Sequence, residues 1–504
     1  MGDILNLPKS WIQVTIADLG KVVSGGTPST KENSFWGGNI SWISPSDLTG
    51  YSNKYISKGA KSITQEGLKK SSATVMPAGS IHFSSRAPIG YTVISSCDMT
   101  TNQGFKSLIP AEGVFNEYIY YYFKSAKQLA ESHATGTTFK EISGTAFSKL
   151  PVPFPPTNEQ RRIVAKIEEL FSELDKGIEN LKTARAQLKV YRQALLKHAF
   201  EGKLTAQWRA ENQDKLETAD ALLKRIQQER AQRYQQQLAD WETSGGSKPK
   251  APKRLPPLTY EELAGLPKLP EGWGWEKYGD LCSVVRNGIS AKPEGESGTP
   301  IFRISAVRPL FFDMTDFRFI DNTNGEFDSY CLERGDLVFT RYNGSRRYVG
   351  VCAEYRSDEK RLFPDKLVQT RVFSKNISTS YLEKALNSGE SRKFVESKIR
   401  TTAGQSGVSG DDIKNIPVPI CSTEEQIQIV EELESKLSKV DQLDQTITSS
   451  LQQAETLRQS ILKKAFSGQL VPQDPHDEPA AELLARIHDD RNKANIVKTK
   501  GGKA

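Results

Sequence analysis

The sequence of 504 residues contains little cysteine and little histidine. Its five histidines are not clustered near any cysteine, and the cysteines are scattered at Cys97, Cys282, Cys331, Cys352 and Cys421. No C-x-x-C pair occurs and the number of cysteines is odd. This pattern argues against a disulfide framework and against a zinc site.

The sequence also lacks a long apolar run. No stretch approaches the roughly 20 apolar residues of a membrane span, and residues 1–10 lack the basic start and apolar segment of a signal peptide. We therefore expect a soluble, cytoplasmic protein without a membrane partner. The charge excess is small, since 68 Lys and Arg against 61 Asp and Glu give +7. Such a charge is compatible with a nucleic-acid partner but does not require one.

No motif of an enzyme is complete. The phosphate loop G-x-x-x-x-G-K-[ST] is absent. Residues 154–157 have the adjacent prolines of an amino-methyltransferase motif without the acidic or amide residue that precedes them. Asp365 and Lys366 lack the further acidic partner of a metal nuclease, and His82, His133 and His198 belong to no nucleophile constellation. The sequence predicts no catalytic residue, no metal site and no cofactor on this chain.

What the sequence does contain is one long-helix cassette that occurs twice. Residues 150–153 (LPVP) and 416–419 (IPVP) precede Glu-Gln pairs at 159–160 and 425–426, and the helical patterns end near Phe200 and Phe466. The offset is 266 at both ends, so the two helices have equal length. Between 189–204 and 455–470, 8 of 16 positions are identical. A repeat of this kind determines the architecture.

Each predicted helix begins after its prolines, which cannot lie in a helix interior, and carries an apolar seam. Steps of three and four residues alternate, as in a coiled coil. The first seam comprises Val164, Ile167, Phe171, Leu174, Ile178, Leu181, Leu188 and Leu195, and the second comprises Val430, Leu433, Leu437, Val440, Ile447, Leu451, Ala454 and Ile461. Asp444 is a polar seam residue that could fix the register. The simplest arrangement packs the two helices antiparallel about a pseudo-two-fold axis.

The modules in front of the helices are repeated more weakly. Residues 7–11 match 269–273, and residues 79–84 match 335–340. Short glycine-bounded runs at 81–84 and 337–340 predict strands, and Asn343-Gly344 predicts a hairpin turn. Asn116 and Ser380 are the expected helix starts.

The predicted fold class is α+β: two mixed α/β domains separated by two long coiled-coil helices in a pseudo-two-fold repeat. The expected boundaries are a first domain at 1–155, a first long helix at 156–204, a helical tail at 205–243, a linker at 244–268, a second domain at 269–421, a second long helix at 422–470 and a C-terminal helical tail at 471–504. Residues 244–257 of the linker, rich in Gly, Ser, Lys and Pro, are expected to be extended and mobile.

This arrangement resembles the specificity subunit of a type I restriction–modification system. The motifs that carry the resemblance are the Pro-Val-Pro and Glu-Gln helix starts, the Ala-Phe-x-Gly-x-Leu helix ends, and residues 470–475 and 477–480 (LVPQDP and DEPA). The resemblance covers nearly the whole chain and implies two target-recognition domains, each reading half of a split, asymmetric DNA site. It also implies helices that set the gap, two modification subunits that hold S-adenosylmethionine and methylate adenine, and restriction subunits that use ATP and Mg. The longer linker and tail depart from the minimal pattern.

Polar residues that are the same in both helices suggest a shared partner surface. Packing of the seam alone would explain the apolar repeats but not the polar ones. The expected partner-binding residues are Gln160, Arg192, Gln193, Lys197, Phe200, Gln426, Arg458, Gln459, Lys463 and Phe466.

DNA base edges and phosphates are contacted by Arg, Lys, Asn, Gln, Ser and Thr on protruding loops. The strongest candidate is the loop with Arg341, Tyr342, Asn343, Ser345, Arg346 and Arg347, although an ordinary exposed hairpin would have the same composition. Ser84, Ser85 and Arg86 occupy the corresponding loop of the first module. Lesser candidates are Thr27, Thr138, Lys140, Arg286, Arg303, Lys366 and Gln405.

Two other function classes stay open at this point. A fused restriction–modification enzyme or a nuclease would need a motif that the sequence does not contain. A purely structural coiled-coil scaffold would have no affinity for DNA.

Overall fold

A computed structural model describes residues 7–136, 140–245, 247–293, 296–402 and 404–501, excluding the side chains of Thr402 and 494–501. The chain forms two compact units. The first unit combines Met1–Thr183 with Ile447–Ala504, and the second is Ala184–Thr446. The predicted boundaries followed the chain order, whereas the compact units divide each long helix between them.

The first module is mixed α and β. Its strands are β1 (Ile12–Thr15), β2 (Gly20–Ser24), β3 (Trp36–Ile43), β4 (Tyr55–Ile56), β5 (Lys61–Ile63), β6 (Ile81–Ser84), β7 (Thr92–Ser95), β8 (Met99–Thr101), β9 (Phe105–Pro110) and β10 (Pro151–Phe154). Its helices are α1 (Ile16–Leu19), α2 (Gln65–Lys69), α3 (Asn116–Ser125), α4 (Lys127–Ser132) and α5 (Gly144–Ser148). The long helix α6 (Thr157–Phe200) follows, and then α7 (Ala206–Glu211), α8 (Ala219–Ser244) and α9 (Tyr260–Ala264).

The second module repeats this composition. Its strands are β11 (Gly274–Lys277), β12 (Cys282–Asn287), β13 (Thr299–Phe302), β14 (Val307–Arg308), β15 (Phe311–Phe312), β16 (Phe317–Ile320), β17 (Leu337–Thr340), β18 (Tyr342–Asn343), β19 (Cys352–Glu354), β20 (Leu367–Val372), β21 (Arg400–Thr402), β22 (Gln405–Gly407) and β23 (Pro417–Ile420). Its helices are α10 (Tyr278–Leu281), α11 (Thr379–Leu386), α12 (Gly389–Lys398) and α13 (Gly410–Lys414), and the chain ends with α14 (Thr423–Phe466) and α15 (Ala480–Gly501).

The main sheets of the two modules share one topology. The strand order is β2-β9-β6-β7-β4 in the first module and β12-β20-β17-β19 in the second. The three leading strands of each sheet are antiparallel neighbours. As a result, the loops after β2 and β6 and before β9 leave one sheet edge, as do those after β12 and β17 and before β20. These six loops position the candidate site.

The predicted mixed fold with two long helices is confirmed, and α6 and α14 each contain 44 residues. The seam residues are buried or half-buried, and between Phe171 and Leu195 most of the other residues of α6 are exposed. In the second unit the two helices are antiparallel, because Arg185 pairs with Asp444 at 2.8 Å while Arg192, further along, pairs with Asp441 at 2.5 Å. Asp444 therefore holds an ion pair across the seam. In the first unit the guanidinium of Arg458 pairs with Asp175 and lies 4.9 Å from the Phe171 ring.

The start of each long helix is held to its own module by the repeated glutamine. The Gln160 side chain accepts from the Phe115 amide at 2.8 Å and donates to the Pro155 carbonyl at 2.9 Å. The Gln426 side chain accepts from the Ser378 amide and donates to the Cys421 carbonyl, both at 2.9 Å. Both glutamines are 0% exposed. Their repetition reflects this buried junction.

The end of each long helix packs on the module that precedes the other helix. In the second unit the Phe200 ring lies 5.4 Å from Tyr381. In the first unit the Phe466 ring lies 5.3 Å from Tyr118 and 5.3 Å from Tyr122. Each compact unit is therefore completed by a helix end that comes from the other half of the sequence.

The tails after the helices follow the same exchange. On α8, Arg230 donates to the carbonyls of Asp280 and Cys282 at 3.0 and 2.9 Å. On α15, Arg491 donates to the Ala17 carbonyl at 2.8 Å and to that of Gly20. The two tails therefore make equivalent contacts, in which an arginine of each tail helix binds backbone carbonyls of the module from the other half of the sequence.

Three local predictions need correction. Asn343-Gly344 is not a hairpin turn, because β18 pairs with β22 rather than with a returning strand. The helix expected at Ser380 begins at Thr379 with Ser378 as its N-cap, and the helix expected after Asn116 begins at Asn116 itself. Of the helices described, none is long and apolar enough to cross a membrane.

The predicted linker at 244–268 makes specific contacts with the second module, and one of them involves Leu255, in the part predicted to be extended and mobile. The Leu255 amide donates to the Asp280 carboxylate at 3.0 Å. The Trp275 indole donates to the Pro267 carbonyl at 3.2 Å, and Thr259 caps the short helix α9. The segment is therefore part of the second unit's surface.

Candidate nucleic-acid interface

In the second module the three loops enclose an open cleft of about 710 Å³, which we call the basic cleft. It is lined by residues 289–293 after β12, residues 364–366 before β20, residues 342–344 of β18 and the following glycine, residues 302–305 with Arg308 and Arg318, and Gln405. The sequence candidates Arg303, Tyr342, Asn343, Lys366 and Gln405 are thus brought to one place.

The lining of the basic cleft is strongly cationic. Among the described residues that line it, one is acidic, Asp365, against the cations Lys292, Arg303, Arg308, Arg318 and Lys366. Arg303 has a distant carboxylate partner in Asp316 at 3.6 Å. Arg318 is exposed, and neither it nor Lys366 has an ion pair within the parts of the chain that the structure describes. Uncompensated cations in a groove attract a polyanion.

The loop expected to carry three arginines is divided by the structure. The Arg341 guanidinium stacks 4.8 Å from the Tyr342 ring, and its buried Nε has no hydrogen-bond partner among the described residues. The Asn343 side chain accepts from the Ser345 amide at 2.9 Å, which shapes the end of the loop. Tyr342 and Asn343 line the cleft, whereas Arg341 is not part of the lining and contacts the ring of Tyr342.

The remaining residues of this set lie outside the cleft lining. Arg346 donates to the Glu396 carbonyl at 3.0 Å, and Arg347 lies 5.6 Å from the Tyr348 ring. Arg286 donates to the Gln369 side chain at 2.6 Å and stacks on Tyr330 at 4.9 Å. The side chains of Ser345, Arg346 and Arg347 are exposed to solvent.

In the first module the same sheet edge carries a different set of side chains. Thr27 accepts a hydrogen bond from Asn102 at 2.9 Å and donates one to Gln103. Glu141 lies between Arg86 and Lys106, with both ion pairs at 3.3 Å. Amide and hydroxyl groups thus replace the row of arginines of the second module.

Two candidates of the first module are buried and support the loop from within. Ser84 donates to the Pro88 carbonyl at 2.7 Å and accepts from the Tyr91 amide at 2.8 Å. Ser85 donates to the Gly104 carbonyl at 3.0 Å. Both are 0% exposed, so the expectation that they contact DNA is wrong. Lys140 is exposed, and Thr138 lies outside the described residues.

Sequence reasoning missed Arg308, Arg318, Asn102 and Gln103. Arg308 and Arg318 lie on strands β14 and β16, between β12 and β17. The strands of this segment are paired differently from those between β2 and β6 of the first module, so the repeat gave no signal for these arginines. Asn102 and Gln103 immediately precede β9, as Pro364 and Asp365 precede β20. Aligning the two modules on these strands would have found this pair.

The residues expected to bind the partner subunits fall into exposed, buried and ion-paired groups. Gln193, Lys197, Gln459 and Lys463 are exposed, as predicted for a docking surface. Gln160, Gln426, Phe200 and Phe466 are buried by the contacts described above, so they are not surface residues. Arg192 and Arg458 are occupied by ion pairs across the seam. Among the described residues, no group of three or more metal-ligating side chains is found.

Comparisons with known proteins agree with this architecture. The family model described as the type I restriction modification DNA specificity domain matches residues 8–183. The specificity subunit of the type I restriction enzyme EcoKI from Escherichia coli (strain K12) is 30% identical over 397 residues, which cover 76% of this chain and 74% of that protein. The chain belongs to the specificity subunits of type I restriction–modification systems. The MjaIX specificity subunit from Methanocaldococcus jannaschii is 40% identical over 200 residues, covering 39% of this chain and 45% of that protein.

Two solved structures share the fold of this specificity subunit. A chain from a study of complex assembly and conformational transition of the type I R-M system aligns over 92% of this chain and 99% of its own length, with a TM-score of 0.60 and 18% identity. The HsdS subunit from Thermoanaerobacter tengcongensis aligns over 92% of this chain and 98% of its own length, with a TM-score of 0.51 and 17% identity. The two modules of this chain are its target-recognition domains.

Proposed function

We propose that this specificity subunit reads a bipartite, asymmetric DNA sequence, with one half-site read by each target-recognition domain. The observation that carries the proposal is the contrast between two equivalent sheet edges. One edge forms the basic cleft with five cations and one carboxylate. The other presents the cluster of Thr27, Asn102 and Gln103. Different donors and acceptors at equivalent positions suit two different base sequences.

Within the basic cleft the side chains divide by chemistry. Arg318 and Lys366 are suited to phosphate oxygens, which position the duplex without reading it. Asn343 and Gln405 carry amides, which can form paired hydrogen bonds with the edge of adenine. Arg303 and Arg308 are suited to the O6 and N7 acceptors of guanine. In the first domain, the amides of Asn102 and Gln103 would take the reading role.

The long helices would set the gap between the half-sites and present the subunits that carry out the chemistry. A helix of 44 residues is about 66 Å long at about 1.5 Å per residue. We propose that two modification subunits, which hold S-adenosylmethionine, dock through surfaces that include the repeated pairs Gln193/Gln459 and Lys197/Lys463. Restriction subunits that use ATP and Mg would join the same complex. On this proposal the chain itself contributes recognition and no catalytic group.

The test is methylation mapping. The chain is co-expressed with its modification subunit, and the positions of N6-methyladenine in the host DNA are sequenced. A split, asymmetric motif with a fixed gap is the expected result. Changing Asn343→Ala or Gln405→Ala should relax one half-site and leave the other unchanged, because both amides lie in the cleft of the second domain.

The matched control is Arg334→Ala, which removes an arginine of the same domain that pairs with Asp358 outside the cleft. It should leave the motif unchanged. A continuous motif would mean that one domain reads alone. A stable complex without DNA affinity would overturn the proposal in favour of a scaffold.

A further inference from the structure

A second cationic cavity, of about 410 Å³, lies on the second unit at the opposite end of the β12–β20 ladder from the basic cleft. Its walls are helix α8, residues 250–253, the start of β12 and the end of β20. Its charged lining residues are Arg230, Arg233, Lys250, Lys253 and Arg371, and none of the described residues that line it is acidic. We call it the flank cavity.

Two of these cations are engaged by the fold. Arg230 donates to two backbone carbonyls, which fixes α8 to the domain. Arg371 donates to both oxygens of Asp336 at 2.7 and 2.9 Å. They form the rigid floor of the cavity rather than groups free to bind.

The other three cations have no carboxylate partner within the described residues. Arg233, Lys250 and Lys253 are all exposed. The Arg233 guanidinium lies 5.5 Å from the Phe373 ring, which orients it without neutralising its charge. Three uncompensated positive charges around a rigid floor favour an anionic ligand with several charges.

The segment that supplies the lysines is held on both sides of the cavity. Lys248 lies 5.5 Å from the Trp241 ring at the end of α8. The Leu255 amide bonds to the Asp280 carboxylate at 3.0 Å. Lys250 and Lys253 lie between these two attachments, so the structure gives them a defined place beside Arg233.

We propose that the flank cavity binds the phosphate backbone of the duplex just outside the half-site that the second domain reads. This inference rests on the proposed function. From Val284 on β12, which lines the flank cavity, to Ile289 just beyond the strand, which lines the basic cleft, five residue steps span about 17 Å at about 3.3 Å per step. A duplex rises by that length in about five base pairs, at about 3.4 Å each. Arginine is well matched to phosphate geometry, and phosphate contacts carry no base information.

The test neutralises the three available cations together, as Arg233→Gln, Lys250→Gln and Lys253→Gln, in the full subunit bound to its modification partner. The control is Lys215→Gln, Lys224→Gln and Lys268→Gln, which removes the same charge from exposed positions of the same unit outside the cavity. DNA affinity is measured against salt concentration, with duplexes that carry long flanks or end at the half-site.

The slope of log affinity against log salt concentration should become shallower by about 0.9 for each phosphate that the variant no longer binds. This change should occur with long flanks and disappear with the trimmed duplex, while the preferred sequence stays the same. The control should retain the wild-type slope on both duplexes.

Equal slopes for the cavity variant and the control would overturn the inference. Failure of partner assembly with an unchanged slope would also overturn it, and would show instead that the cavity receives an acidic protein surface. If the wild-type complex does not bind duplex DNA at all, the proposed function fails before the cavity is tested. The two failures are therefore distinguishable.

Discussion

Gly202 lies directly against the ring of Pro270, so that a Cβ at this glycine would come within 2.4 Å of the proline Cγ. The repeat reproduces this relationship in the first unit, where a Cβ at Gly468 would come within 2.3 Å of the Pro8 Cγ. Both glycines also adopt the left-handed conformation, with φ of +69° and +73°. The glycine of each Ala-Phe-x-Gly-x-Leu motif is therefore required where a helix end meets the other domain.

We predict that Gly202→Ala and Gly468→Ala each destabilise their own unit by about 2–5 kcal/mol. The expected value combines about 1–2 kcal/mol for a left-handed alanine with about 1–3 kcal/mol for overpacking. Urea denaturation followed by tryptophan fluorescence measures the change. Gly177→Ala is the control, because Gly177 lies inside α6 and none of the described residues would come within 4 Å of a Cβ at this position, apart from the helix's own backbone and its chain neighbours. This substitution should stabilise the helix by about 0.5–1 kcal/mol. If alanine changes the stability equally at all three glycines, the two proline rings do not restrict residues 202 and 468.

The buried carboxylate of Asp336 is the second test. It is 0% exposed and accepts from the Arg371 guanidinium and from the Glu333 amide at 2.8 Å. The hydrogen bond to Asp336 raises the pKa of Arg371. Without Asp336, Arg371 keeps its ion pair with Glu333 at 2.7 Å. The Glu333 backbone amide and the Gln369 side-chain amide lose their acceptor, so we expect Asp336→Ala to cost about 1–3 kcal/mol of unfolding free energy.

Thermal and urea unfolding of the Asp336→Ala variant measure this decrease in stability. Asp358→Ala serves as the comparison, because Asp358 pairs with Arg334 on the surface and such pairs contribute little. A variant at 336 that unfolds like the one at 358 would show that the Asp336–Arg371 pair does not hold the sheet together.

We predict from the burial of His82 that the unfolding free energy of the protein decreases as the pH falls. Its Nδ1 lies 2.9 Å from the Ser107 hydroxyl, and complete burial lowers the pKa of His82 to about 3. The unfolded chain binds a proton near pH 6.5, whereas the folded chain does not. Folding stability therefore falls by about 1.4 kcal/mol for each pH unit below 6.5, until pH reaches about 3.

The variant His82→Asn keeps an amide nitrogen in reach of Ser107 and removes the titration. Its unfolding free energy should depend less steeply on pH between 6.5 and 4 than that of the wild type. His133→Asn, at an exposed position, should leave the wild-type slope unchanged. Parallel pH profiles for wild type and His82→Asn would refute the assignment.

The helix pair predicts how the DNA gap responds to length. A heptad inserted at the middle of both α6 and α14 keeps the seam and the antiparallel pairing. Each insertion adds about 10.5 Å, or about three base pairs. We expect the methylated motif to keep both half-sites and to gain a longer gap. A heptad inserted in α6 alone should instead move Arg185 out of register with Asp444 and impair assembly. A gap of unchanged length in both variants would contradict the hypothesis that the length of the helices sets the gap.

Much of the frame was predictable, because it follows from local pattern. Prolines at 151–156 and 417–419 limit where the helices can begin, and the three-four spacing identifies the seam whatever the helix packs against. The exchange of helix ends was not predictable, since it depends on contacts between residues that are far apart in the sequence, such as Phe200 and Tyr381. Nothing local to Phe200 identifies its neighbour.

The candidate site was predictable only in part. Asn343, Lys366 and Gln405 are polar loop residues, and the structure does bring them to one cleft. Ser84 is also a polar residue in a loop, yet its hydroxyl forms hydrogen bonds with the backbone of its own loop, at Pro88 and Tyr91. The repeated Gln160 and Gln426 show the same limit, because a repeated polar residue can be buried at a junction as well as exposed to a partner.

The discontinuity of the first unit has a consequence for biosynthesis. The second unit is one continuous stretch of chain, whereas the first needs residues 447–501 to cover Tyr118 and Tyr122 with Phe466. A ribosome makes the first domain early but releases its covering helix only after the second unit. The domain synthesised first is therefore completed after the second one, and in the interval its aromatic docking surface stays open to chaperones, to a neighbouring nascent chain or to an early-binding partner.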